Sequence, residues 1–102
     1  MAEKAAPAQD RLDRWLWHAR FFRVRSLAAK AVSGGKVRVN GQGTNKPARN
    51  VAPGDVLTFA QGATIRVVRV CAIAERRGSA TEAALLYEDI PQHAGSGAPP
   101  SA

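Results

Sequence analysis

Ten lysines and arginines fall within residues 11–50: Arg11, Arg14, Arg20, Arg23, Arg25, Lys30, Lys36, Arg38, Lys46 and Arg49, against one acid, Asp13. That stretch carries a net charge of +9, and the segments before and after it each sum to −1, so all of the chain's +7 comes from here. Guanidinium and ammonium groups at this density are the chemistry of polyanion binding. Arginine grips phosphate oxygens through paired N–H donors, and lysine supplies a mobile point charge. A basic surface alone does not tell RNA from DNA, and both remain open at this point.

Catalytic and metal chemistry find little to build on. The two histidines, His18 and His93, are far apart, and Cys71 is the only cysteine. None has metal-ligand spacing with another, so no metal and no cofactor are expected. No Gly-x-Ser-x-Gly elbow is present. With 102 residues the chain fits one domain, which leaves no room for a catalytic domain beside a binding module. No apolar run approaches the ~20 residues of a membrane span, and residues 1–9 hold no signal-peptide core. A lone cysteine agrees with a reducing compartment. The expectation is a cytoplasmic, non-enzymatic protein, and nothing in the sequence asks for more than a monomer.

The elements that must position these cations read as follows. RLDRWLWHARFF has Leu12, Trp15, Leu16, Ala19 and Phe22 on one helical stripe, with Arg11, Arg14, His18, Phe21 and Arg25 opposite. Trp17 falls at the boundary, and Asp10 is the candidate N-cap. SLAAKAVSGG is a second, short helix, capped by Ser26 and ended by Gly34 or Gly35. Leu27, Ala28, Ala31 and Val32 form its inner face. At KVRVNG the period changes to two, with Val37 and Val39 inward, Lys36 and Arg38 outward, and a tight turn at Asn40 and Gly41. A polar loop follows, then a turn at Pro53 and Gly54. VLTFA and TIRVVRVCAI are strands, the second with Arg66 and Arg69 outward, a slip at Val67 and Val68 that suggests a bulge, and a buried Cys71. A helical turn at residues 81–84 and a last strand, LLYEDI, complete the reading. The fold class is α+β: two N-terminal helices packed on a small antiparallel sheet. Residues 1–10 and 91–102, rich in Ala, Pro, Gly and Ser, are expected to be flexible tails around a domain at 11–90.

The run RLDRWLWHARFFRVRSLAAKAVSGGKVRVNG resembles the S4-like RNA-binding domain and its αL motif: Arg-Leu-Asp opening a helix, an arginine-flanked turn, a short helix ending in two glycines, and a strand reading K-V-x-V-N-G. The paired tryptophans and the later EAALLYED are similar to the ribosome-associated fifteen-kilodalton heat-shock protein family, over about residues 11–90. That resemblance implies ribosomal RNA as the partner. In that family the target is the free large ribosomal subunit still holding a nascent chain on transfer RNA, in a stress and recycling role. Residue by residue, it implies RNA contacts from Arg11, Arg14, Arg25, Lys36, Arg38 and Asn40, with Lys30 and Lys46 near them. Asn40 fits a turn role at least as well as base reading, and Phe21 among the arginines fits either base stacking or packing. The family's longer charged C-terminal extension has no counterpart in GSGAPPSA, which implies weaker ribosome binding. A general DNA- or RNA-binding protein and a ribosome-assembly factor are the rival readings.

Overall fold

A computed structural model describes residues 9–91. Of the expected tails at 1–10 and 91–102, residues 1–8 and 92–102, with His93, lie outside the described residues. In chain order the elements are β1 (Asp10–Arg11), α1 (Leu12–His18), α2 (Arg25–Ser33), β2 (Val37–Val39), β3 (Gln42–Thr44), β4 (Asn50–Val51), β5 (Val56–Gln61), β6 (Thr64–Val70), α3 (Ala80–Ala83) with a 3-10 turn over Ala84–Leu86, and β7 (Tyr87–Asp89). Two helices lead into an antiparallel sheet ordered β3-β2-β5-β6-β7, and β1 pairs separately with β4. The α+β arrangement is the one the periodicity predicts. Asp10, placed by the sequence with the N-terminal tail, is buried and pairs with Val51.

The core lies between the helix pair and one face of the sheet. Leu12, Trp15 and Leu16 of α1 and Ala28 and Val32 of α2 meet Val37, Val39, Leu57, Phe59, Val68 and Val70. Trp15 is fully buried, and its indole N–H donates to the Ala72 carbonyl at 3.0 Å, which satisfies the one polar atom that burial would otherwise strand.

Helix α1 is four residues shorter than its stripe suggests. The chain leaves it through Arg20 at φ +66. The Arg20 amide donates to Trp17 and the Phe21 amide to Leu16, the two bonds of a Schellman ending. Helix α2 ends the same way through Gly35 at φ +74, with Gly35 bonded to Val32 and Lys36 to Ala31. The first ending places arginine where the second has glycine. Past it, helical geometry no longer applies. Phe21 swings into the core, 4.9 Å from the Phe59 ring and 4.6 Å from Tyr87, so packing and not base stacking is its role. His18 is likewise buried and not on an exposed basic face.

Other local expectations change as well. The N-caps are Arg11 and Val24, neither with a side-chain cap bond, instead of Asp10 and Ser26. Leu27 is exposed, since α2 turns only Ala28 and Val32 fully inward. The β5–β6 register runs unbroken from Val56 opposite Arg69 to Gln61 opposite Thr64, so there is no bulge. That register puts Val68, Val70 and Arg66 on the helix side and leaves Ile65 in solvent. Arg66 lies over the Phe21 ring at 5.2 Å and pairs with Asp89 at 2.7 Å. Cys71 lies just past β6 and is exposed. Asn40 (φ +53) and Gly41 (φ +81) make the β2–β3 turn, as the Asn-Gly pair predicts. The helical turn forms at Ala80–Ala83, held by a capping box between Ser79 and Glu82.

Candidate nucleic-acid interface

The three arginines of the helix pair are brought together by two buried carboxylates. Asp13, near the start of α1, is 3% exposed. Its Oδ1 accepts from Arg11 Nε at 3.1 Å and from the Arg14 amide at 2.8 Å. Its Oδ2 accepts from Arg11 Nη2 at 3.2 Å and faces Arg25 Nε at 3.5 Å. Asp10 is buried next to it, and its Oδ1 accepts from Arg14 Nε at 2.6 Å and from the Arg11 amide at 2.7 Å. Arg11, Arg14 and Arg25 thus come from three points in the sequence and stand side by side, each with about two-fifths of its side chain in solvent.

His18 closes this cluster from below. Its Nδ1 lies 3.6 Å from Asp10 Oδ2. Burial pushes its pKa below the usual imidazole value; Asp10 pulls it back up, while Arg14, Arg25 and Arg77 push it further down. His18 is therefore neutral at neutral pH.

The loop before β4 joins this cluster to the second one. The first two amides of α1 donate to it, Leu12 to the Arg49 carbonyl at 2.8 Å and Asp13 to the Pro47 carbonyl at 3.2 Å. This docking carries Lys46 and Arg49 toward the start of α1. On its other side, Lys46 lines an open groove with Gly35, Gly43, Thr44 and Asn45. Gly35 also borders the shallow groove that holds Lys36 and Arg38. Lys30, Lys36, Arg38 and Lys46 are all exposed. Arg38 makes one bond, to the Gly41 carbonyl at 3.3 Å. Asn40 is engaged on both sides of its carboxamide: Nδ2 donates to Asp55 at 3.1 Å, and Oδ1 accepts from the Val56 amide at 2.9 Å. It locks the β2–β3 turn to β5.

Four other cations are occupied differently. Arg66 pairs with Asp89 and Arg69 with Glu88 across β6 and β7. Arg77 donates to the carbonyls of Trp17 and Phe22 and lies 5.4 Å over the Trp17 ring. Arg20 donates to the Gly78 carbonyl at 2.9 Å. These last two staple the α1–α2 connection to the loop before α3. Sequence reasoning missed that role, and the two buried carboxylates as well. Asp13, the single acid among ten cations, was the signal available for the latter. Among the described residues no three His, Cys, Asp or Glu side chains gather as metal ligands, and no helix is long and apolar enough to cross a membrane.

The chain resembles known proteins over this same span. The family model of the S4 domain matches residues 10–57, the span that holds both helices, the docked loop and β2. Heat shock protein 15 of Escherichia coli K12 is 51% identical over 89 residues, covering 87% of this chain. The homologue from Haemophilus influenzae is 39% identical over 89 residues. The chain spans 65% of the length of the Escherichia coli protein. A solved structure of Vibrio cholerae heat shock protein 15, described as trimeric, superposes with a TM-score of 0.77 at 43% identity, covering 80% of this chain and 82% of that one. With the S4 match across its basic half and this likeness across most of its length, the chain belongs to the heat shock protein 15 family.

Proposed function

We propose that this chain is a non-catalytic, cytoplasmic RNA-binding protein. It holds structured ribosomal RNA by phosphate contacts from Arg11, Arg14, Arg25, Lys30, Lys36, Arg38 and Lys46, with Asn40 fixing the turn between them. Its target is the free large ribosomal subunit that retains a nascent chain on transfer RNA, in a stress and recycling role. One observation carries this reading. In the β6–β7 half, Arg66 and Arg69 are matched to acids, whereas Lys30, Lys36, Arg38 and Lys46 have no acidic partner among the described residues, and the arginine cluster shares only Asp10 and Asp13. The base edges of an RNA helix sit in a deep, narrow groove, so a surface of this kind reads phosphates and shape. All the cations come from one chain, so a monomer suffices as the binding unit.

Sedimentation of cell lysate on a low-salt sucrose gradient tests this. Wild type is expected to travel with the free large subunit, and Arg14→Ala/Lys36→Ala/Arg38→Ala to stay at the top. Wild type remaining at the top would remove the ribosome as the target. Competition of an RNA hairpin against DNA of the same sequence then separates RNA recognition from general polyanion binding, which equal affinities would indicate.

A further inference from the structure

We infer that Asp10 and Asp13 are positioning residues of the phosphate-binding surface: they hold Arg11, Arg14 and Arg25 in fixed orientations before RNA arrives. The inference rests on the RNA-binding reading above and adds the part played by the acids. Two buried carboxylates, one inside the most basic segment of the chain and one at its edge, are, by charge alone, a handicap to binding a polyanion. Their geometry explains their presence. Arg11 and Arg14 each spend the Nε edge on a hydrogen bond to a carboxylate, of Asp13 and Asp10 respectively, and Arg25 turns its Nε toward Asp13 at an ion-pair distance of 3.5 Å. The Nη nitrogens of Arg14 and Arg25, and Nη1 of Arg11, have no hydrogen-bond partner among the described residues. A guanidinium carries five N–H donors, so using the inner edge fixes the plane and leaves the outer donors for phosphate oxygens. The carboxylates are themselves anchored. Asp13 accepts from the Arg14 amide, its own amide donates to Pro47, and Asp10 accepts from the Arg11 amide.

Immobilising a free arginine on binding weakens affinity by about 2- to 10-fold per side chain. Three arginines ordered in advance avoid that loss. The two accounts of the acids therefore predict opposite signs. If Asp13 only subtracts charge, its neutralisation tightens binding. If it positions Arg11 and Arg25, neutralisation weakens binding despite the gain of one positive charge.

The experiment measures anisotropy of a fluorescein-labelled RNA hairpin with wild type, Asp13→Asn, Asp10→Asn and Glu75→Gln, across a salt series. Glu75 is exposed, has no ion pair among the described residues and lines a groove with Asp10 and Arg14, so it reports the effect of removing a negative charge beside the cluster without removing a carboxylate that bonds an arginine. The expected result is a loss of roughly 5- to 10-fold for Asp13→Asn, a smaller loss for Asp10→Asn, and equal or tighter binding for Glu75→Gln. Tighter binding by Asp13→Asn with an unchanged melting curve overturns the proposal and leaves the RNA-binding reading intact. Absence of salt-dependent binding by wild type overturns that reading itself. A measurement on free wild type covers the case in which the variants unfold. The Nε–H groups of Arg11, Arg14 and Arg25 should show NMR order close to that of the backbone, and that of exposed Arg23 should not. Equal mobility at all four overturns the positioning role.

Discussion

Replacing Arg14, Lys36 and Arg38 together by alanine removes three of the seven proposed phosphate contacts, and the size of the effect follows from counterion release. Each neutralised phosphate contributes roughly 0.7–0.9 to the slope of log affinity against log salt concentration. If ~5 of the seven cations reach phosphates at once, the wild-type slope is about −4. Raising salt from ~50 to ~200 mM, a fourfold change, then weakens binding by about 250-fold. With three contacts gone the slope falls to about −1.6, and the same change costs only about 9-fold. The variant therefore differs most from wild type at low salt and approaches it as salt rises. Arg69→Ala is the control, because that arginine already pairs with Glu88 and should leave the slope unchanged. Anisotropy titrations of a labelled RNA hairpin at four salt concentrations give both slopes. A triple variant with the wild-type slope would refute the assignment of these cations to phosphates. Equal losses in the triple variant and in Arg69→Ala would show that net charge acts without regard to position.

Three further outcomes follow from the packing. Trp15→Phe should lower stability by about 2 kcal/mol in urea denaturation, from a smaller ring and an Ala72 carbonyl left without its donor. Arg77→Ala, which removes the side-chain donor to the Phe22 carbonyl and leaves the Trp17 carbonyl with the Arg20 amide, should cost about 1–3 kcal/mol in the same assay with an unchanged salt slope for RNA. His18 titrates below its ordinary value when folded, so the unfolded chain binds its proton first as pH falls. Stability is then complete above about pH 6.5 and falls progressively below it. His18→Asn should flatten that part of the stability-against-pH curve relative to wild type, and an unchanged slope in the variant would assign it to other groups.

The sequence made the outline of the fold legible, because the relevant signals were local. Leu12, Trp15 and Leu16 marked the inner face of α1, the paired glycines ended α2, and Asn40 with Gly41 made the β2–β3 turn. The errors cluster where distant contacts override the pattern. Arginine at the left-handed end of α1 gives no stop signal, so helical spacing extended past Arg20 puts Phe21 opposite the core face; His18, inside α1, falls on that same face by spacing but is buried beside Asp10. TIRVVRV can be read in either phase of two. The Phe21 ring and Asp89 decide in favour of Arg66 facing inward, and no local cue records either. The cations of the candidate site were readable from charge and periodicity. Their arrangement was not, because it depends on the burial of Asp10 and Asp13, and the segment that carries them is bonded to a loop some 35 residues further along.

That loop has a consequence for the order of events during synthesis. The first turn of α1 has no side-chain cap of its own; the Leu12 and Asp13 amides find their acceptors at Arg49 and Pro47. A seven-residue helix is too short to persist alone in water. While the chain is emerging, α1 is consequently a fluctuating segment until residues 47–51 are available to dock and β4 can pair with β1. The segment that carries Arg11 and Arg14, β1 with α1, and the loop that carries Lys46 are completed in a single closing event. A nascent chain stopped short of that loop would hold its cationic side chains on a floppy tether, and so would not yet compete for the RNA around it.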